Sequence, residues 1–141
     1  MQTNNQTKVT VEAVIQAPVA KVWSYWTEPV HITKWNQPSE DWHAPRAEND
    51  LRAGGEFVTR MEAKDGSMGF DFGGTYDEVK LHEKISYTLG DGRQVDITFE
   101  DQGEVTKVVQ VFDPESMNPV DFQQAGWQAI LDSFKRYTEQ S

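Results

Sequence analysis

The stretch PVDFQQAGWQAILDSFKRYTE, residues 119–139, carries the longest helical pattern in the chain. Asn118 stands at the N-cap position and Pro119 at the first helical position, where these residue types are favoured. Apolar residues recur at every fourth position, so the pattern predicts a helix with one broad buried stripe. The stripe comprises Phe122, Gly126, Ile130 and Phe134, widened by Trp127 and Leu131. A helix with such a face needs a sheet to pack against.

Alternating apolar and polar residues predict strands over most of the chain before this helix. Asp65–Gly66, Asp91–Gly92 and Gln102–Gly103 are hairpin turn signals, which favour antiparallel pairing of neighbouring strands. The glycine pair Gly73–Gly74 indicates a bulge or a close approach of two backbones. The predicted strands cover about residues 9–15, 56–62, 68–72, 85–89, 95–99 and 104–112, with a short or irregular strand near Trp42.

Two short helices are predicted between the first strand and the meander. Residues 18–26 have apolar side chains at helical spacing, and Pro29 ends this helix and begins the next, residues 30–35. One long final helix must then cover the apolar face of the sheet, which indicates an α+β fold. We expect a single domain over residues 1–141, with residues 1–7 flexible.

Composition narrows the classes of partner. The formal net charge is -10, which argues against nucleic acid or an anionic membrane surface as partner. The chain has no Cys, so disulfides and thiolate chemistry are excluded. No apolar run approaches the length of a membrane span, and the polar N-terminus lacks the apolar core of a signal peptide. We therefore predict a cytoplasmic protein without membrane insertion.

Four motifs resemble one known family. They are PVAKVWSYWTEPVHITKW at residues 18–35, GGEF at 54–57, DGSMGFDFGGTYDEV at 65–79 and GWQAILDSFKRY at 126–137. In this order they resemble the START and birch-pollen-allergen (SRPBCC) superfamily, in particular its bacterial single-domain branch related to activators of the 90-kDa heat-shock-protein ATPase. The resemblance covers about residues 8–139.

The resemblance implies a helix-grip fold. In that fold a curved antiparallel sheet of about six to seven strands wraps around a long C-terminal helix, with a cavity between them. The superfamily includes lipid carriers, hormone receptors, polyketide cyclases and co-chaperone domains, so membership alone does not select an activity.

The inward-facing large side chains are the candidate site. They either fill an ordinary core or line a cavity together with a few polar groups. Ten of them come from the alternation of the strands and the stripe of the helix: Phe57, Met61, Phe70, Phe72, Tyr76, Tyr87, Phe99, Trp127, Ile130 and Phe134. Trp35 and Trp42 lie on the least regular part of the chain and could flank a pocket mouth. Gly126 either lets a strand aromatic approach the helix or leaves room for a ligand.

No catalytic pattern, metal site or cofactor motif is predicted. His31, His43 and His82 lack metal-ligand spacing, and no serine lies in a GxSxG context. The leading hypothesis is therefore a binding protein for a small hydrophobic or aromatic molecule. The alternatives are a co-chaperone-like interaction module and a cyclase-like or hydrolytic enzyme that uses the same cavity. Because the chain matches one domain only, the resemblance by itself does not predict ATPase activation.

Overall fold

Consecutive hairpins arrange six strands as an antiparallel meander, and the first strand of the chain pairs with the last. The computed structural model describes residues 8–36 and 40–140, which contain one seven-stranded sheet in the order β1-β7-β6-β5-β4-β3-β2. The elements in chain order are β1 (Val9–Ile15), α1 (Val19–Thr27), α2 (Pro29–Trp35), β2 (Trp42–Asn49), β3 (Glu56–Ala63), β4 (Gly69–Lys80), β5 (Lys84–Leu89), β6 (Gln94–Asp101), β7 (Thr106–Phe112) and α3 (Val120–Gln140).

The predicted fold class is confirmed. The sheet is curled into a half-barrel, two short helices follow the first strand, and a 21-residue helix ends the described chain. The expectation that residues 1–7 are flexible falls outside the described residues. No helix within residues 8–36 and 40–140 is long and apolar enough to cross a membrane.

The glycine pair marks a close approach of backbones. A Cβ on Gly73 would lie 2.4 Å from the carbonyl oxygen of Phe57, and one on Gly74 would lie 2.4 Å from that of Thr88. Both distances are far shorter than van der Waals contact, so only glycine fits. The bulge in β4 lies further along, where the register with β5 shifts between Tyr76 and Glu78.

Helix α3 lies along the outer edge of β1. Alternate carbonyl groups of an edge strand point away from the sheet and need partners. Three side chains of α3 donate hydrogen bonds to three such carbonyls, at Thr10, Glu12 and Val14. The bonds run from Gln124 Nε2 to Thr10 (3.1 Å), from Gln128 Nε2 to Glu12 (3.1 Å) and from Lys135 Nζ to Val14 (2.7 Å). The helix thus closes this edge of the sheet.

The start of α3 differs from the prediction in two ways. Phe122 is 68 % exposed, so its place on the buried stripe was wrong, whereas the neighbouring Gln123 is buried. The reason is local: the Gln123 amide bonds to the preceding loop, and Phe122, about 100° away around the helix, is thereby turned to solvent. Asn118 does not act as the predicted cap, because its side chain donates to Glu115 Oε2 (3.0 Å) and the helix begins at Val120.

Replacing Gln123 by leucine should destabilise the fold. Its Oε1 accepts from the Glu115 amide (2.8 Å), and its Nε2 donates to the carbonyls of Glu115 (3.0 Å) and Asn118 (2.8 Å). Leucine would leave these backbone groups unpaired, and we expect the free energy of unfolding to fall by about 2 kcal/mol. Urea unfolding measures the change.

Gln124→Leu is the matched control, because Gln124 is exposed and makes one bond to the Thr10 carbonyl. We expect it to cost less than about 1 kcal/mol. Equal losses in the two variants would show that the Gln123 bonds do not anchor the loop.

Candidate ligand cavity

A cavity of about 230 Å³ lies between the concave face of the sheet and the three helices. Strands β3, β4, β5 and β7 contribute its floor, and each helix contributes at least one side chain. Nine of the twelve predicted residues line it: Trp35, Phe57, Met61, Phe70, Phe72, Tyr76, Tyr87, Trp127 and Ile130. Most of the residues predicted for the site therefore line one cavity.

The other three candidates lie outside the cavity wall. Phe99 packs edge-on against Trp23, with ring centroids 5.2 Å apart. Phe134 is fully buried and packs on Trp35, with centroids 5.0 Å apart. Trp42 lies behind Phe70, with centroids 6.0 Å apart. A side chain that faces inward can therefore belong either to the packed core or to the cavity wall. Which of the two it joins depends on the elements packed around it.

The aromatic wall is held by contacts among its own rings. Trp127 stacks on Phe112 with ring centroids 3.9 Å apart and planes 11° apart. Phe57 meets Tyr87 edge to face at 4.7 Å, and Phe72 meets Trp127 edge to face at 6.2 Å. Such pairs stabilise one another beyond the area that they bury. The cavity is therefore bounded by side chains with little freedom to collapse into it.

One polar group of the cavity is tied to the scaffold. Tyr76 Oη donates to Asn49 Oδ1 (2.5 Å), and Asn49 Nδ2 donates to the Thr27 carbonyl (2.6 Å) at the end of α1. Burial raises the pKa of the Tyr76 hydroxyl above its ordinary value. This chain of bonds connects β4, β2 and α1 at one end of the site.

The wall carries no formal charge in the described part of the chain. None of the described lining residues is an aspartate, glutamate, histidine, lysine or arginine. The pKa of Tyr87 is raised by burial and by the neighbouring Tyr76, so both phenols stay protonated at neutral pH. Within the same residues, no group of three or more side chains that could hold a metal comes together.

Sequence reasoning missed two buried polar residues of the wall, Thr59 and Gln110. Thr59 shares the inward face of β3 with Phe57 and Met61, so its position was readable although its chemistry was overlooked. Gln110 lies in a valine-rich strand whose facing was ambiguous, because Val108 and Val109 are adjacent. Counting back in twos from Phe112 would have placed it inward. The remaining residues missed are Trp26, Ile32, Asn36 and Ile85.

The structure decides between the two roles that the sequence left open for Gly126. No heavy atom lies within 4 Å of the position that a Cβ would take there. A strand aromatic therefore does not press against this glycine. Gly126 lies one turn before Ile130, which lines the cavity, and the position of its missing Cβ is open.

A curled antiparallel sheet that holds a long C-terminal helix over a cavity defines the helix-grip class of the START-like (SRPBCC) superfamily. Within this class the chain belongs to the family described as Activator of Hsp90 ATPase homolog 1-like protein, whose profile matches residues 16–139. The resemblance found in the sequence is thereby confirmed.

Solved structures agree with this assignment. The AHSA1-like protein from Aeromonas hydrophila is 44 % identical, with a TM-score of 0.89 over 95 % of this chain and 93 % of that one. A protein from Cytophaga hutchinsonii is 59 % identical, with a TM-score of 0.82 over 94 % of this chain and 92 % of that one. A protein from Chromobacterium violaceum, 24 % identical, covers 94 % of this chain and 98 % of that one at a TM-score of 0.84, which shows the fold alone. No curated protein matches the chain.

Replacing Gly126 by alanine should stabilise the protein. Alanine is favoured over glycine inside a helix by about 1 kcal/mol, and the added methyl group meets no atom. We expect the free energy of unfolding to rise by that amount in urea titrations. Gly74→Ala is the control and should destabilise, because its methyl group would collide with the Thr88 carbonyl. A loss of stability in Gly126→Ala would mean that the space beside the helix is filled.

Proposed function

We propose that this protein binds a small, uncharged apolar or aromatic molecule in the cavity between sheet and helices. The observation that carries the proposal is an aromatic cavity of about 230 Å³ with no charged side chain among its described lining residues. Ligand sites are typically concave and mostly apolar, with few polar groups. The family and fold are consistent with this function.

The size of the cavity supports a ligand rather than an imperfection of packing. At about 30 Å³ per water molecule it has the volume of roughly eight waters, whereas voids larger than one water are few in protein interiors. Its volume falls a little below the usual range for drug-sized ligands, about 300 Å³ and above. We expect an occupant of one or two rings.

The two tyrosines of the cavity wall are poorly suited to acid–base catalysis. A general acid or base works best with a pKa near the operating pH. Burial raises the pKa values of Tyr76 and Tyr87 away from neutrality. Binding is thus favoured over an enzymatic use of the cavity.

A ligand should raise the melting temperature of the protein, and the cavity wall should control the effect. At one hundred times its dissociation constant a ligand adds about 2.7 kcal/mol to stability. We expect hits from a thermal-shift screen of neutral one- and two-ring compounds, and native mass spectrometry would detect a co-purified compound. Ile130→Phe, which puts a ring into the cavity and narrows it, should reduce the shifts, and Phe70→Ala should weaken them.

Phe122→Ala is the matched control, because Phe122 is an exposed aromatic outside the wall. It should leave every shift unchanged. A flat screen for the wild type, together with a bare mass, would contradict the proposal. Shifts that both Ile130→Phe and Phe70→Ala leave unchanged would place the binding elsewhere.

A protein-interaction role is the second candidate. The loop before α3 and its first turn expose three apolar side chains, Met117, Val120 and Phe122, with Met117 88 % exposed. These side chains lie close together in the sequence, and exposed apolar groups that form one contiguous patch mark interaction surfaces. The family description adds the 90-kDa heat-shock chaperone as a candidate partner.

This role predicts that the protein changes the ATPase rate of the bacterial 90-kDa chaperone. Phe122→Ser should reduce the effect, because it removes the large exposed ring, while Ile130→Phe should retain it. A steady-state ATPase assay with each variant measures the change. An unchanged rate with the wild type would rule out a role as regulator of this ATPase.

A further inference from the structure

Three polar side chains of the cavity wall have no hydrogen-bond partner among the residues that the structure describes. Thr59, Tyr87 and Gln110 are 5 %, 7 % and 6 % exposed, respectively. Within residues 8–36 and 40–140 no group bonds to the Thr59 hydroxyl, the Tyr87 hydroxyl or the Gln110 amide. Tyr76 differs from them, because its hydroxyl is bonded to Asn49.

These polar groups border open space rather than packed protein. Among the described residues, the one fully enclosed side-chain oxygen or nitrogen without a partner is Thr138 Oγ1. The polar atoms of Thr59, Tyr87 and Gln110 are therefore accessible from the cavity that these residues line. Buried donors and acceptors are costly when unpaired, so these three need a partner from outside the described residues.

The strand register brings two of them near each other. Ile97 of β6 pairs with Gln110 on one side and with Ile85 on the other, and Tyr87 follows Ile85 by two residues. Gln110 and Tyr87 are thus two strand spacings apart across the sheet and two residues apart along it, which places their Cα atoms about 12 Å apart. Both have long side chains on a concave face, so one small molecule is large enough to contact both. Thr59 lies two strands further on, beside Phe72.

The charge of the wall restricts what this partner can be. A carboxylate or an ammonium group would be buried without a counter-charge, which is strongly unfavourable. A pure hydrocarbon would leave the Tyr87 hydroxyl and the Gln110 amide unpaired. Both conditions are met by an uncharged molecule that carries its own hydrogen-bonding group.

We propose that the cavity selects a neutral aromatic molecule with a hydroxyl, carbonyl or carboxamide group, which bonds to Gln110 and Tyr87 while the rings of Phe72 and Trp127 enclose its body. Thr59 provides a further hydrogen-bonding position along the cavity. This inference rests on the proposed binding function and adds the chemical class of the ligand.

Three probes of similar size test the inference: 2-naphthol, its near-isostere 2-methylnaphthalene and the anion 2-naphthoate. Dissociation constants would be measured by titration at pH 7, with the NMR signals of the protein amides as the readout. We expect 2-naphthol to bind more tightly than both others, although the methyl compound is the more apolar. One unmatched hydrogen bond corresponds to about threefold to tenfold in affinity, and the anion should bind most weakly.

Two near-isosteric substitutions remove the recognising groups. In Tyr87→Phe and in Gln110→Met the preference for 2-naphthol over 2-methylnaphthalene should fall by about threefold to tenfold. Affinity for the hydrocarbon should stay the same or rise, which a merely structural defect would not produce. Tyr25→Phe is the matched control, because Tyr25 lies outside the cavity wall and stacks on His31. It should leave the preference unchanged.

The outcomes separate this inference from the proposed function. If 2-methylnaphthalene binds as tightly as 2-naphthol, or if the variants keep the wild-type preference, the polar groups are served by resident water only and the inference is overturned while the binding function stands. If 2-naphthoate binds most tightly, the cavity is a site for anions and the inference is overturned as well. If none of the probes binds and the compound screen is flat, both proposals fail.

Discussion

The closure of the β1 edge by α3 is the constraint on which the rest of the structure depends. The carbonyls of Thr10, Glu12 and Val14 have no strand neighbour on this side, and the side chains of α3 supply their partners. The contact joins the first and last elements of the described chain. It is reinforced at one end, where Glu139 accepts from the Gln16 amide (2.7 Å). An edge strand that would otherwise invite pairing with another chain is thus covered.

The cavity follows from where the helices are fixed. Helix α3 is held at the β1 edge, and α2 packs against β2, the other edge of the sheet. The two helices meet where Trp35 packs on Phe134. Between these supports the curled sheet is spanned by side chains alone. The rings there, such as Trp127 on Phe112, are fixed by their own stacking and leave a space that none of them fills.

The fold was readable from the sequence because its signals are local. Alternation defined the strands, turn residues joined them, and the spacing of apolar residues marked α3. The rotation of the first turn of α3 was not readable, because it is set by the bonds of Gln123 to Glu115, a polar contact with a loop of no regular pattern. Likewise, Phe99 and Phe134 face inward as the residues of the cavity wall do. Whether such a ring meets core or open space depends on the distance between layers, which periodicity does not encode.

The chemistry of the wall connects the scaffold to the proposed role. Tyr76 is committed to the scaffold through Asn49, whereas Tyr87 and Gln110 line the cavity and have no side-chain hydrogen-bond partner among the described residues. Since burial raises the pKa of Tyr87, its hydroxyl remains a hydrogen-bond donor across the neutral range. A core that needed only stability would have apolar residues at these positions, because an unpaired buried polar group opposes folding. Their presence beside an aromatic cavity is best explained by a partner that completes their hydrogen bonds.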